Sequence, residues 1–327
     1  MKLLARIAIF VAGIAVVCGG LVAWMVQPGV QAISSPTGVV KASPDRLRHD
    51  VELLAGPLAK RDFAHTGALN RTATHIAHEL EAAGGRVEYQ RYSVDGFDYA
   101  NVIARFGPQQ GRPLVIGAHY DVHEGTPGAD DNASGVAGLL ELARLLRGQR
   151  LDGPVELVAY TLEEPPYFRT EHMGSSVHAQ RLVSKGIEPA LVLVLETIGY
   201  FSDHAGSQRY PVPGLDLIYP ETGNFVAVVG HAGNVGSVRR IKGLMSGASA
   251  LPVSSINAPA WLPGIDFSDH ASYWAHGIPA VMVTDTAFFR NPHYHEATDL
   301  PETLDYRRMA MVVDGVLAVV RGFSPAR

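Results

Sequence analysis

LVIGAHYDVHEGTPGADDNASGVAGLLELARLLRGQRLDGPVELVAYTLEE, residues 114–164, contains the pattern from which the architecture follows. It begins with the apolar run LVIGAH (114–119) and continues through SGVAGLLELARLL (134–146), which has the length and apolar spacing of a helix. It ends with a second apolar run, VELVAYTL (155–162). Near-continuous apolar strands separated by helices are typical of a sheet that is covered on both faces. The stretch therefore predicts a strand–helix–strand unit of an α/β domain.

The same alternation continues on both sides of this unit. Further strands are predicted at 86–94, 101–106, 190–197, 224–230 and 278–285, and further helices at 43–56, 67–85, 175–186, 235–248 and 304–320. We therefore expect residues 43–327 to form a single α/β domain with a mostly parallel, mixed central sheet and helices on both faces. Residues 200–266 are rich in Gly, Pro and Tyr, and we expect them to form an insertion near a sheet edge that acts as a substrate rim.

Composition excludes several classes of protein. The chain has 327 residues, of which 47% are hydrophobic and 18% charged, so it is neither disordered nor fibrous. Its net charge of −5 leaves no excess of positive charge for a phosphate backbone, so nucleic acid is not expected as a partner. Cys18 is the single cysteine. Any metal ion must therefore be bound by histidines and carboxylates.

The amino-terminal end has the pattern of a membrane segment. Lys2 and Arg6 precede an uncharged apolar run from 7 to 26, which is long enough to span the roughly 30 Å hydrocarbon core of a bilayer. We expect residues 1–27 to be an uncleaved single-pass anchor with a cytoplasmic N-terminus, and 28–42 to be a linker. Residues 43–327 would then lie in the periplasm or outside the cell. The alternative is a signal peptide with a cleavage site near 30–32, which would make the protein secreted.

Metal-binding and acid–base side chains follow the predicted strands, at the edge of the sheet where functional groups of α/β proteins collect. They are His119, Asp131, Glu163, Glu164, Glu196 and His295. Each alone has a simpler explanation, such as a helix cap for Asp131 or an interior hydrogen-bonded side chain for His119. Together, two histidines and three carboxylates suit a site for two metal ions that share one carboxylate, with zinc as the expected occupant.

Such a site needs a proton acceptor that does not bind the metal. Of the two adjacent glutamates, we assign Glu163 to this role and Glu164 to metal binding, because successive side chains of an extended segment point in opposite directions. Asp121 lies two residues beyond His119, on the same side of the chain. We expect it to hold the second ring nitrogen of His119.

These residues resemble the aminopeptidase Y family of zinc metallopeptidases, which includes bacterial leucyl aminopeptidases with two co-catalytic zinc ions. The similarity extends from about Asn101 to Tyr306. The motifs that carry it are HYD, PGADDNASG, the EE pair with the MGS that follows, LETIGY, SDHASYWAHGIPAV and YHEATDLPETLDY. Together they are specific, whereas HYD or EE alone would be weak.

The resemblance implies a set of roles for these residues. One zinc ion would be bound by His119 and the other by His295, with Asp131 bridging them and with Glu164 and Glu196 as terminal ligands. It also implies Glu163 as general base, an oxyanion-stabilising role for Tyr294, and substrates that are peptides with a free N-terminus.

The sequence departs from the family pattern at two places. Glu196 stands where the family most often has Asp, so the longer side chain alters the geometry of one metal ligand. PPYFRTEHM, residues 165–173, is longer than the usual connection and is expected at the mouth of the cleft.

Two other functions remain open from the sequence. A glutaminyl cyclase-like zinc aminoacyltransferase would use Asp131, Glu164 and His295 with a single zinc ion. A non-catalytic, membrane-tethered binding domain would require that a ligand or the base be missing, and none is missing here.

Overall fold

The computed structural model describes residues 2–34 and 40–323; for Lys2, Leu3 and Ala8 it describes the backbone alone. Residues 35–39 of the predicted linker, Met1 and the last four residues of the predicted domain lie outside the described part of the chain.

One sheet of eight strands forms the centre of the described structure, in the order β1-β2-β4-β3-β5-β8-β6-β7. The strands are β1 (Arg86–Val94), β2 (Phe97–Phe106), β3 (Leu114–His119), β4 (Val155–Tyr160), β5 (Leu191–Glu196), β6 (Val226–Gly230), β7 (Val253–Asn257) and β8 (Ala280–Thr284). Strands β4, β3, β5 and β8 are mutually parallel, whereas β1–β2, β2–β4 and β8–β6 are antiparallel pairs. The sheet is therefore mixed, as predicted.

Helices cover both faces of the sheet and confirm the α/β class. The α-helices of the described residues are α1 (Lys2–Val26), which stands apart from the sheet faces, and α2 (Pro44–Ala55), α3 (Thr66–Ala82), α4 (Gly135–Leu146), α5 (Gly174–Ser184), α6 (Val235–Ser246), α7 (His270–Ala275) and α8 (Tyr306–Gly322). The three central strands β3, β4 and β5 are buried along their whole length. Successive residues serve opposite faces: Leu157 packs in the core that includes α4 and α8, and Val158 in the core that includes α5 and α7.

Two elements of the described structure were not predicted. Strand β7 has the sequence VSSIN, whose central serines interrupt the apolar pattern, and α7 is six residues long, too short to display a helical period. Strand β7 lies within the region 200–266, and α7 begins shortly after it. That region contributes β6, α6 and β7 to one edge of the sheet, and its role as a substrate rim stays a prediction.

Helix α1 is a candidate membrane span by length and composition, over Leu4–Val26. From Leu4 to Trp24 its described side chains are exposed, so the core of the domain does not account for its apolar character.

Candidate metal centre

The parallel strands bring the predicted site residues to one edge of the sheet. In the pairing of β3 with β5, Gly117 is opposite Val194, so His119 and Glu196 end the two strands at the same level. Glu163 and Glu164 follow the neighbouring strand β4, and His295 lies in the loop after β8. The site therefore collects at the carboxyl ends of the strands, as expected for an open α/β sheet.

The first group of candidate ligands is His119, Asp131 and Glu196, all of which are buried. Nε2 of His119 lies 3.2 Å from Oδ1 of Asp131 and 3.4 Å from Oε2 of Glu196. One ligand atom from each residue lies within 4.8 Å of the others. A tetrahedral metal ion with short bonds to nitrogen and oxygen fits donors at these separations.

The second group is Asp131, Glu164 and His295. Nε2 of His295 lies 3.1 Å from Oδ2 of Asp131 and 3.3 Å from Oε2 of Glu164. Asp131 thus faces His119 with one carboxylate oxygen and His295 with the other. The structure therefore brings the five predicted ligands together in two groups that share Asp131.

Four of the five candidate ligands have a buried side-chain atom that lacks a hydrogen-bond partner. Among the described residues, the buried atoms without a partner include Nε2 of His119, Oδ1 of Asp131, Oε1 of Glu164 and Nε2 of His295. Buried polar atoms without partners are costly, so their convergence on one place requires an explanation. Histidine nitrogens with carboxylate oxygens are a donor set typical of zinc sites, and the residues present fit a metal ion.

A buried carboxyl group, that of Glu163, lies beside the first group. Oε2 of Glu163 lies 3.9 Å from Nε2 of His119, and the side chain is buried. Burial raises the pKa of Glu163 well above its usual value, and the nearby charges of Glu196 and Glu164 add to this, although His119 opposes it. Glu163 thus holds a proton more readily than an exposed carboxyl group does.

Asp121 supports the site through a contact that the sequence did not predict. Its carboxylate accepts hydrogen bonds from the backbone N–H of Glu163 (3.2 Å) and of Glu164 (3.1 Å). Its Oδ1 lies 3.6 Å from Nδ1 of His119, beyond a hydrogen bond, whereas its main-chain oxygen lies 3.2 Å from that nitrogen. Asp121 therefore orients the ring through its backbone and the two glutamates through its side chain.

Two further supporting residues were missed from the sequence. Asp299 accepts hydrogen bonds from the backbone N–H of Asp130 (2.9 Å) and Asp131 (3.1 Å), which fixes the loop that carries the shared ligand. Ser268 donates a hydrogen bond to Glu196. Both stand within the motifs YHEATDLPETLDY and SDHASYWAHGIPAV, so their position in those motifs was the available signal.

An apolar pocket adjoins the first group of ligands. Glu196 and Tyr294 form part of its wall, and its remaining lining is mainly apolar, with Phe225, Ala227, Val229, Leu262, Phe267, Met282 and Phe288 among its members.

The ring of Tyr294 stacks on that of His295, with centroids 3.9 Å apart, and the ring of His123 stacks on His295 at 4.2 Å. Burial raises the pKa of Tyr294 well above its usual value, so its hydroxyl keeps its proton at neutral pH.

Comparisons with known proteins show the family of the chain. The sequence model of peptidase family M28 matches residues 101–320. The chain is 45% identical to the uncharacterized protein YfbL of Escherichia coli over 302 residues, which is 90% of this chain and 92% of that protein. It is 28% identical to a probable leucine aminopeptidase of Trichophyton verrucosum over 72% of this chain and 59% of that protein.

Two solved structures illustrate the range of proteins with this fold. BSAP, a zinc aminopeptidase from Bacillus subtilis, is similar with a TM-score of 0.68 and 15% identity over 86% of this chain and 95% of that one. The glutaminyl cyclase of Porphyromonas gingivalis is similar with a TM-score of 0.64 and 19% identity over 86% and 99% of the two chains. At these identities the likeness concerns the fold alone.

Proposed function

The chain belongs to peptidase family M28, and from this membership we propose that it is a zinc-dependent aminopeptidase that removes N-terminal residues from peptides. The observation that carries the proposal is the double use of Asp131, whose two oxygens face two different histidines. A carboxylate placed in this way can bind one metal ion with each oxygen.

Zinc ions in this site would be held by His119, Asp131 and Glu196 on one side and by Asp131, Glu164 and His295 on the other. When bound, they would polarise the scissile carbonyl and increase the acidity of the attacking water. The chain itself supplies the proton transfer. Glu163 accepts the proton of the attacking water on its carboxylate and delivers it to the leaving amine, since it is buried beside the first group and belongs to neither group of candidate ligands.

The pocket indicates which N-terminal residues the protein would remove most readily. It is lined mainly by apolar side chains and shares Glu196 and Tyr294 with the candidate metal centre. A substrate placed at the centre would therefore direct its first side chain into an apolar cavity. We propose large apolar N-terminal residues as the preferred substrates, with Tyr294 donating a hydrogen bond to the developing oxyanion.

The alternative of a glutaminyl cyclase accounts for fewer of the contacts. That reaction would need Asp131, Glu164 and His295 and would leave His119 and Glu196, both buried at the same place, without a role. The two-group arrangement therefore favours the peptidase.

Mass spectrometry of a defined peptide pool tests the proposal. The pool contains free and N-acetylated versions of the same peptides, including one that begins with Gln, and is incubated with the zinc-loaded protein. We expect loss of single N-terminal residues from the unblocked peptides only. Loss of ammonia from the Gln peptide would instead identify a cyclase, and internal cleavage would contradict recognition of a free N-terminus.

A further inference from the structure

The last turn of α1 is docked onto the catalytic domain. Val26 and Gln27 are 6% and 4% exposed, although the rest of the helix from Leu4 to Trp24 is not buried. Nε2 of Gln27 donates a hydrogen bond of 2.6 Å to Oδ1 of Asn257, a fully buried residue of β7, and one of 3.3 Å to the main-chain oxygen of Val235. The polar end of the helix is therefore seated in a polar recess of the domain.

The domain also caps the carboxyl end of this helix. Nζ of Lys242 lies 3.3 Å from the main-chain oxygen of Val26 and 3.0 Å from that of Gln27, and Oγ of Ser255 donates a bond of 2.9 Å to the oxygen of Val26. A cation at this end of a helix is favourable because the last carbonyls have no partner within the helix. Gln27 has a φ of 53°, a left-handed conformation that is uncommon for a residue with a side chain. These bonds hold it there.

The chain after the helix stays packed against α6. The backbone N–H of Ile33 donates a hydrogen bond of 2.8 Å to the oxygen of Gly243. A Cβ atom at Gly247 would lie 1.9 Å from the main-chain oxygen of Ile33, so only glycine permits this approach. Removal of the chain up to residue 32 would leave Asn257 and Lys242 without these partners. The helix is thus fixed to the domain by a specific joint.

Exposed apolar side chains occupy two loops that are connected to β7, the strand that binds the end of α1. Of the eight exposed large hydrophobic residues beyond position 43 in the described chain, four lie in two loops next to β7: Val212, Leu217, Ile218 and Trp261. Leu217 is 88% exposed and Trp261 is 79% exposed. We call the two loops, 210–219 and 258–265, the rim loops.

The rim loops are connected to the joint through β7. The hydroxyl of Tyr219 donates a hydrogen bond of 2.7 Å to the main-chain oxygen of Ser255, the residue whose Oγ binds Val26. Leu217 is two residues from Tyr219, and Trp261 is four residues from Asn257. An extended chain spans at most about 3.5 Å per residue, so Leu217 lies within roughly 7 Å of Tyr219 along the chain and Trp261 within about 14 Å of Asn257.

We propose that the rim loops and the retained helix α1 form one membrane-contacting surface, in which Leu217, Ile218 and Trp261 insert into the bilayer interface beside the point where the helix leaves the membrane. A membrane-length helix that ends on β7 brings its neighbouring surface to the lipid headgroups. Tryptophan is enriched at that depth, and exposed apolar clusters are otherwise unfavourable in water. The occupant of this surface is therefore lipid.

Contact of the rim loops with the membrane would also position the substrate pocket. This consequence rests on the proposed function. The rim loops supply Tyr210, Leu215 and Tyr219 to one part of the pocket wall and Leu262 and Ile265 to another. The same two loops thus carry both the proposed lipid-facing residues and residues that line the pocket. The wall of the pocket would be held at the membrane surface, where the N-termini of membrane-associated peptides are found.

Site-directed spin labelling of the full-length protein tests the surface directly. Cys18 is the single cysteine, so Cys18→Ser provides a background for Leu217→Cys and Trp261→Cys. Phe97→Cys is the matched control, because Phe97 is 57% exposed and belongs to β2 near the opposite edge of the sheet. The labelled proteins are placed in nanodiscs of phosphatidylcholine and phosphatidylglycerol, and accessibility to oxygen and to a water-soluble nickel complex is measured.

We expect the ratio of oxygen to nickel accessibility to be several-fold higher at 217 and 261 than at 97. Equal ratios at all three positions would contradict the proposal, and so would an N-terminus of the membrane-purified protein that begins after residue 32. Neither readout depends on catalysis. A protein that inserts as described but leaves every peptide intact would overturn the proposed function and not this surface.

Discussion

The Oγ of Ser268 donates a hydrogen bond of 2.6 Å to Oε2 of Glu196. The same carboxylate oxygen lies 3.4 Å from Nε2 of His119, within the first group of candidate ligands. Glu has one more rotatable bond than Asp, the residue that most relatives were expected to have here. Ser268 restricts that additional freedom, so the longer side chain is held in one orientation toward the candidate metal position.

Ser268→Ala should therefore weaken one metal site and not the other. Loss of a supporting hydrogen bond to a ligand typically lowers metal affinity about 10- to 100-fold. Competition with a fluorescent zinc chelator should show one of two zinc ions released more readily. Ser272→Ala is the matched control, since Ser272 bonds to Ser175 and Met173 and to neither ligand group. Equal loss in both variants would contradict a specific role for Ser268.

Glu163→Gln should abolish turnover and leave the metal content near normal. The amide keeps the size of the side chain but cannot accept the proton, and general acid–base catalysis contributes about 10²- to 10⁴-fold. The measurements are kcat on a leucyl substrate and zinc content by elemental analysis. Unchanged turnover would exclude Glu163 as the base, whereas loss of zinc would identify it as a ligand.

His295→Ala should lower zinc content and activity together. Its Nε2 is a buried donor that faces Asp131 and Glu164, and no other described histidine belongs to the second group. His293→Ala serves as control, because His293 is two residues away and its Nδ1 lies 2.9 Å from the hydroxyl of Thr298. Retention of two zinc ions by His295→Ala would rule out the ligand role.

The candidate ligands could be picked out from the sequence because each stands at or beyond the carboxyl end of a parallel strand, and the apolar runs locate those strands. His119 and Glu196 needed only the correct strand ends. The supporting contacts were not accessible, because they join segments far apart in the chain. Asp121 and Glu163 are 42 residues apart, and Asp130 and Asp299 are 169 apart. His178 was expected to be a helical or surface residue. It does lie on a helix, α5, but it is buried, with 1% of its surface exposed.

The joint between α1 and the domain could not be predicted from the sequence either. Residues 28–42 were expected to be a linker because 28–40 are uncharged and rich in turn-forming residues. The described part of this segment instead makes specific bonds, such as that from the backbone N–H of Ala42 to Oδ1 of Asp314 (3.0 Å). Composition indicates the absence of regular secondary structure, but it does not indicate whether an irregular segment is packed.

Ala227→Leu should shift the preference of the pocket toward smaller residues. Ala227 lies on β6 in the pocket lining, opposite Thr284 and close to Met282. The larger side chain would fill part of the cavity in which the first side chain of the substrate is proposed to bind. A methylene group in such a pocket changes discrimination about tenfold or more, so the ratio of kcat/KM for leucyl over alanyl substrates should fall by at least this factor. The alanyl substrate is the internal control, and an unchanged ratio would place the specificity pocket elsewhere.

The contacts of Glu156 predict how the free energy of unfolding depends on pH. Its Oε1 lies 2.9 Å from Nε2 of His178, and its Oε2 accepts a bond of 2.6 Å from Nε of Arg105. Burial opposes ionisation of Glu156, but the bonds with His178 and Arg105 outweigh it and lower the pKa of this carboxyl.

A carboxyl whose pKa is lower in the folded than in the unfolded state stabilises the fold above its unfolded pKa, about 4.3 for Glu. This contribution is lost as the pH falls through the folded pKa, because the unfolded chain then binds the proton first. Glu156→Gln should therefore reduce the free energy of unfolding by about 2 kcal/mol at pH 7, the scale of a hydrogen bond to a charged group. The difference from the wild type should shrink as the pH is lowered from 5 to 3. Urea titrations of both metal-free proteins at these pH values measure it, and a difference that is constant with pH would show that Glu156 contributes by packing and not by its charge.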